Sequence, residues 1–70
     1  SPSDWDIFVN LHKQSGWYGH FAYHYGTVNV YEDFATIYEM LLIDPSGLEE
    51  RASKSEILKK KIEIVSKYLP

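Results

Sequence analysis

The sequence predicts a small α+β domain, in which a β-hairpin, one main helix and a C-terminal strand build a three-stranded antiparallel sheet. Three observations favour this class. Apolar residues alternate over residues 5–12, aromatic residues crowd residues 17–25, and residues 29–43 have the apolar spacing of an amphipathic helix. A short second helix is expected between the main helix and the final strand.

The length of the chain limits how it can be stabilised. Seventy residues predict a single domain over residues 1–70, near the lower size at which a core suffices by itself. The sequence has no cysteine, which excludes disulfides and thiolate metal sites. Small domains of this kind often gain stability by oligomerisation, so we expect self-association. No apolar run approaches the ~18 residues of a membrane span, so no membrane contact is expected.

Charge is distributed unevenly along the chain. Residues 1–50 hold eight acidic residues against Lys13 alone, a net charge of −7, whereas residues 51–70 hold six basic and two acidic residues, a net charge of +4. The acidic part would repel nucleic acid and attract a basic groove. Composition alone favours a simpler interpretation, a solvated acidic surface followed by a basic tail.

Residues 5–25 are interpreted as the hairpin. Over residues 5–12, Trp5 and every second residue after it face one way, which is the pattern of a half-buried strand. A short helix opening at Ser1 and Pro2 is the alternative. Residues 13–16 then form the turn, with Gly16 supplying a positive φ, and residues 17–25 form an aromatic strand with a gap or bulge at Gly19.

Residues 29–43 are interpreted as the main helix, with Asn29 as its N-cap. Its apolar arc spans roughly 160°, wider than the stripe that one core requires. The core is expected to take half of this arc, namely Val30, Phe34, Ile37 and Leu41. The other half is then free for a partner, and it consists of Tyr31, Ala35, Tyr38 and Leu42.

The tail allows two interpretations. Residues 44–47 break the main helix, and Ser46 is a candidate cap for a short helix over residues 48–55. The β-branched residues within 59–67 then favour a strand that joins the hairpin. A helix is the alternative, because Leu58, Ile62, Val65 and Leu69 also keep a helical spacing.

Catalytic, metal and nucleic-acid functions are not expected. His20 and His24 would share a face of the aromatic strand, but no carboxylate stands beside them at ligand spacing, so we expect no metal or cofactor. The chain has no nucleophile motif and no glycine-rich phosphate loop, so it is not expected to be an enzyme. Residues 17–38 contain eight of the eleven aromatic residues but no lysine or arginine, which argues against nucleic-acid binding.

Five short motifs follow one another along the chain in a familiar order. They are Trp5-Asp6-Ile7, Ser15-Gly16, Tyr23-His24-Tyr25-Gly26, Asp33-Phe34 with Tyr38, and Glu56-Ile57-Leu58-Lys59. In this order and spacing the chain resembles the small uracil-DNA glycosylase inhibitors of protein-primed phages. The resemblance implies a helix on a three-stranded sheet, a homodimer and a location in the host cytoplasm. It also implies a DNA mimic that blocks the DNA-binding groove of uracil-DNA glycosylase.

The resemblance also implies a site. Phe34 and Tyr38 would form an apolar pocket at the dimer interface, and this pocket would hold the enzyme's DNA-probing residue. Two family glutamates correspond to Ala22 and Ala35, so neighbouring acidic residues would supply the charge. The predicted partner-binding residues are Ala22, Tyr31, Glu32, Asp33, Phe34, Ala35, Tyr38, Glu39 and Leu42. Two alternatives remain, an acidic module that binds another basic host protein and an all-helical interaction domain without DNA mimicry.

Overall fold

The fold consists of helices and turns, without a strand in the part of the chain that the structure describes, residues 3–16 and 18–70. This computed structural model therefore contradicts the predicted α+β class and its three-stranded antiparallel sheet. Two 3₁₀ turns, Tyr18–His20 and His24–Thr27, connect the first two helices. The α-helices are α1 (Asp4–Ser15), α2 (Val30–Ile43), α3 (Pro45–Ala52) and α4 (Glu56–Ser66).

The predicted first strand, residues 5–12, is wrong because it lies within α1. The Asp6 backbone N–H donates to Ser3 Oγ at 3.2 Å, so Ser3 caps the helix, whereas Ser1 and Pro2 lie outside the described residues. Phe8, Leu11 and Ser15 are buried at helical spacing. Gly16 has the predicted positive φ, 65°, but it ends a helix and not a hairpin strand.

The predicted aromatic strand, residues 17–25, is also wrong. Trp17 lies outside the described residues, and most of the remainder turns irregularly through the two 3₁₀ segments. Lysine and arginine side chains donate hydrogen bonds to backbone carbonyls of this segment, which in a sheet would accept from a neighbouring strand. Lys61 Nζ donates to the His20 carbonyl at 2.8 Å, and Arg51 donates to the Phe21 carbonyl from Nε and Nη2 at 2.9 and 2.6 Å. These side chains satisfy the backbone without a partner strand.

The main helix is confirmed as α2, and it contacts α1, α3, α4 and the second 3₁₀ turn. The Glu32 backbone N–H donates to Asn29 Oδ1 at 2.8 Å, which confirms Asn29 as the cap. Ile37 is fully buried, and the rest of the predicted core half is partly buried against the core. The other half of the arc is largely exposed, with Tyr38 the exception because it packs partly against the core.

The tail is helical throughout. The short helix was expected over residues 48–55 with Ser46 as its cap, but α3 starts earlier because Asp44 Oδ1 accepts from the Gly47 backbone N–H at 3.2 Å. The predicted strand over residues 59–67 is wrong. Ser55 Oγ accepts from the Leu58 backbone N–H at 3.0 Å and starts α4 there. The alternative helical interpretation of the tail is therefore the right one.

Gly26 lies where the second 3₁₀ turn packs against α2. A Cβ atom at this position would lie 3.0 Å from Phe21 Cδ1 and 3.4 Å from Asp33 Cα. We expect Gly26→Ala to lower the free energy of unfolding by about 1–3 kcal/mol, the usual cost of overpacking. Urea denaturation measures this. An equally stable variant would show that the turn does not pack so closely against α2.

Among residues 3–16 and 18–70, no helix combines the length and the apolar character that crossing a membrane requires. The location in a host cytoplasm stays a prediction.

Candidate functional site

Four aromatic side chains from three parts of the chain form a continuous surface, which we call the aromatic patch. The patch consists of Trp5 on α1, Tyr31 and Phe34 on α2, and Tyr68 after α4. The Trp5 ring centroid lies 5.5 Å from that of Tyr31 and 5.9 Å from that of Phe34, and Phe34 lies 5.9 Å from Tyr68. Trp5 is 38% and Tyr31 is 69% exposed. Large exposed aromatic residues that contact one another in this way are typical of interaction surfaces.

Phe8 supports the aromatic patch from inside the protein. Its side chain is fully buried. The Trp5 ring stacks on it, with centroids 6.0 Å apart and an interplanar angle of 13°, and Phe34 meets it edge to face at 5.3 Å. The patch is therefore the outer layer of the core, which holds its rings in place before any partner arrives.

Two acidic residues neighbour members of the aromatic patch. Asp4 Oδ1 pairs with Lys67 Nζ at 3.2 Å, and Tyr68 Oη donates to Asp4 Oδ2 at 3.4 Å. Glu32, which follows Tyr31 in the sequence, is exposed, and no salt bridge within the described part of the chain engages it. Asp4 is therefore compensated by Lys67, whereas Glu32 is a free negative charge that would favour a basic partner.

The structure separates the predicted partner-binding residues into three groups. Phe34 and Tyr38 are partly buried against the core. Two predicted residues are in the interior, since Asp33 is fully buried and Ala22 is 3% exposed, so a partner does not reach them in this fold. The exposed members lie along α2, and they are Tyr31, Glu32, Ala35, Glu39 and Leu42.

A buried ion pair lies behind the patch. Lys61 Nζ and Asp33 Oδ2 are 2.7 Å apart, and both side chains are fully buried. His12 Nδ1 lies 2.9 Å from the same Asp33 oxygen, and Lys61 Nζ lies 4.1 Å from the centroid of the Phe21 ring. This network joins α1, α2, α4 and the irregular segment between α1 and α2. Its members stabilise one another's charges, which would be costly to bury alone.

The same network has little scope for chemistry. A lysine nucleophile must reach a substrate, but the Lys61 side chain has no solvent exposure. His20, which the sequence placed beside His24, lies with Nδ1 2.6 Å from Ser55 Oγ instead. Among the described residues, no group of three histidine or acidic side chains could hold a metal ion. We therefore assign the buried network a structural role.

The buried lysine predicts a pH dependence of stability. Burial lowers the pKa of Lys61 from its usual 10.5, while the hydrogen bond and charge of Asp33 oppose the shift. Between the lowered pKa and 10.5 the unfolded chain binds more protons at this residue than the folded chain, so the free energy of unfolding should rise with pH there. Urea titrations from neutral pH to about pH 10 test this against the Asp33→Leu/Lys61→Met variant. Parallel curves for the two proteins would contradict the prediction.

Sequence reasoning missed two residues of the aromatic patch. It assigned Trp5 to the inner face of a strand and gave Tyr68 no part in a site. The three-residue spacing of Trp5, Phe8 and Leu11 was a usable signal, because it places all three on one side of a helix, whereas in the predicted strand Phe8 faces the other way. No local signal pointed to Tyr68, since its place in the patch depends on how α4 packs against α1 and α2.

Comparisons with known proteins add no relative to this geometry. No protein-family model, curated protein or solved structure matches the chain.

Proposed function

We propose that this chain is a small helical interaction module that binds a basic protein surface through the aromatic patch. The observation that carries the proposal is the contact between Trp5 and Tyr31, whose rings lie 5.5 Å apart and remain accessible on the surface. Tryptophan and tyrosine are enriched among the residues that dominate binding energy at protein interfaces. Glu32, which is exposed and follows Tyr31 in the sequence, favours positive charge in the partner.

An arginine of the partner suits this site. Its guanidinium plane can stack on an exposed ring while its N–H groups pair with a carboxylate. Such a cation–π contact contributes about 0.5–1 kcal/mol at an exposed site and about 2 kcal/mol or more once water is excluded. Because buried Phe8 and half-buried Phe34 already hold Trp5, less side-chain freedom is lost on binding.

A capture experiment with matched variants tests the proposal. Wild type, Tyr31→Ala and Tyr25→Ala are immobilised and exposed to cell lysate. Tyr25 is the control because it is 55% exposed and lies outside the patch. We expect wild type and Tyr25→Ala to retain a basic protein in a salt-dependent manner, and Tyr31→Ala to retain about tenfold less, equivalent to about 1.4 kcal/mol. Retention that is independent of Tyr31, or a partner that is not basic, would contradict the proposal.

Inhibition of uracil-DNA glycosylase stays a prediction of the resemblance, although the sheet that it implied is absent from the described residues. The test is uracil excision from duplex DNA with about a tenfold molar excess of this protein, enough for a sub-micromolar binder. Unchanged excision would exclude the enzyme as the partner.

The homodimer also stays a prediction, and light scattering after size exclusion measures it. The patch and α2 are acidic on the outside, so two copies meeting there would bring like charges together. The aromatic patch is therefore not expected to be the interface of that dimer. If wild type is a dimer and Tyr31→Ala is a monomer, the patch binds a second copy of the chain. That result would overturn the proposal of a basic partner.

A further inference from the structure

A second candidate site lies on another part of the molecule, between the C-terminal end of α2 and the two following helices. The cavity there has a volume of about 470 Å³ and opens to solvent. Its size is within the range of ligand sites in proteins, roughly 300–1,000 Å³. Apolar side chains from all three helices line it, and they include Leu41, Pro45, Leu48, Ala52 and Ile62.

The rim of this groove carries uncompensated negative charge. Glu49 on α3 and Glu63 on α4 stand at its edges, and both are exposed. The third charged residue, Lys59, pairs with Glu56 at 3.1 Å. No salt bridge within the described ranges engages Glu49 or Glu63, so the groove combines an apolar floor with two free carboxylates.

Two more large apolar side chains are exposed at this end of α2. Leu42 and Ile43, which follow Leu41, are 58% and 68% exposed. The groove itself opens to solvent, so it can take an extended ligand that places several apolar side chains in a row.

We propose that this groove binds a basic amphipathic helix of a partner protein. Leucine-like side chains on one face of that helix fill the groove beside Leu48 and Ile62. Lysine or arginine side chains flanking this face pair with Glu49 and Glu63. The site is independent of the aromatic patch, since its lining shares no residue with it.

A synthetic amphipathic helical peptide of leucine and lysine is the probe. The experiment uses the full chain carrying Tyr31→Ala, so that the aromatic patch contributes little. We expect chemical-shift changes at the methyl groups of Leu48 and Ile62, and an affinity that falls as salt rises. The same peptide with glutamate in place of lysine should bind at least about tenfold more weakly.

Charge-matched variants locate the binding. Glu63→Lys should weaken the lysine peptide about tenfold, whereas Glu39→Lys should weaken it less than about threefold. Both residues lie on the exposed surface, and the two substitutions change the net charge equally. Three results would overturn the proposal: equal losses in the two variants, equal affinity for the glutamate peptide, or shifts confined to residues outside the groove. None of them bears on the aromatic patch, which the capture experiment tests separately.

Discussion

Lys61→Met should lower the free energy of unfolding by about 3–5 kcal/mol, the cost of removing one partner from a buried ion pair. The substitution leaves the fully buried Asp33 carboxylate without the ammonium that lies 2.7 Å from it. It also removes the donor to the His20 carbonyl, which helps to hold the irregular segment before α2. A domain of this length has a total stability of about 4–10 kcal/mol, so the loss would be a large share of the total.

Urea denaturation followed by far-UV circular dichroism measures this loss, and two further variants interpret it. Lys60→Met is the matched control, because Lys60 precedes Lys61 on α4 but is exposed. This substitution should lower the free energy of unfolding by less than about 0.5 kcal/mol. Asp33→Leu/Lys61→Met should recover most of the loss, since a hydrophobic pair often replaces a buried ion pair without cost. A Lys61→Met variant as stable as wild type would show that the pair does not lie in the interior.

Phe8→Ala should cost a similar amount, about 3–5 kcal/mol. Phe8 is fully buried, it contacts the rings of Trp5 and Phe34, and it belongs to the cluster that joins α1 to the rest of the core. The cavity left by the ring would also release Trp5 toward water. In a Trp17→Phe background, the emission of Trp5 should therefore shift to longer wavelength.

The control for Phe8→Ala is Tyr25→Ala, which removes an exposed ring and should change stability by less than about 0.5 kcal/mol. Thermal and urea denaturation of both variants give the comparison. Equal stability of the two would mean that α1 does not pack through Phe8. An unchanged emission of Trp5 would mean that Phe8 does not hold the aromatic patch in place.

The helix α2 could be predicted because its signals are local. Asn29 caps it, apolar residues recur at helical spacing, and the break falls at Asp44, all within fifteen residues of one another. The exposed half of its arc followed from the same spacing. Tyr31, Ala35 and Leu42 are exposed as the helical arc indicated.

The first hairpin strand and the C-terminal strand were wrong because short segments can fit both the two-residue period of a strand and the 3.6-residue period of a helix. Over residues 5–12, the apolar residues fit both an alternating pattern and a three-residue spacing. The cap at Ser3 and the burial of Phe8 and Leu11 favour the helix. In residues 59–67, β-branched residues favoured a strand, but Ser55 starts a helix whose inner side then includes Leu58 and Val65. The resemblance to the inhibitors depended on those strands.

The buried network could not be predicted, because its parts are far apart in the sequence. Lys61 ends a run of three lysines that is typical of a solvated surface. Only the phase of α4, which places position 61 on the same side as Leu58 and Val65, turns it inward to Asp33 on α2. The same tertiary packing buries Asp33, which the sequence had predicted to contact a partner.

Site-specific photo-crosslinking tests the central claim, that the aromatic patch binds a basic protein, most directly. A benzoyl-phenylalanine replaces Tyr31 in one protein and Tyr25 in the other, since both side chains are exposed but only position 31 belongs to the patch. We expect position 31 to form an adduct with a basic protein, with a yield that falls as salt rises, and position 25 to form little of it. Equal adducts from the two positions, or only a cross-linked dimer of this chain from position 31, would contradict the account.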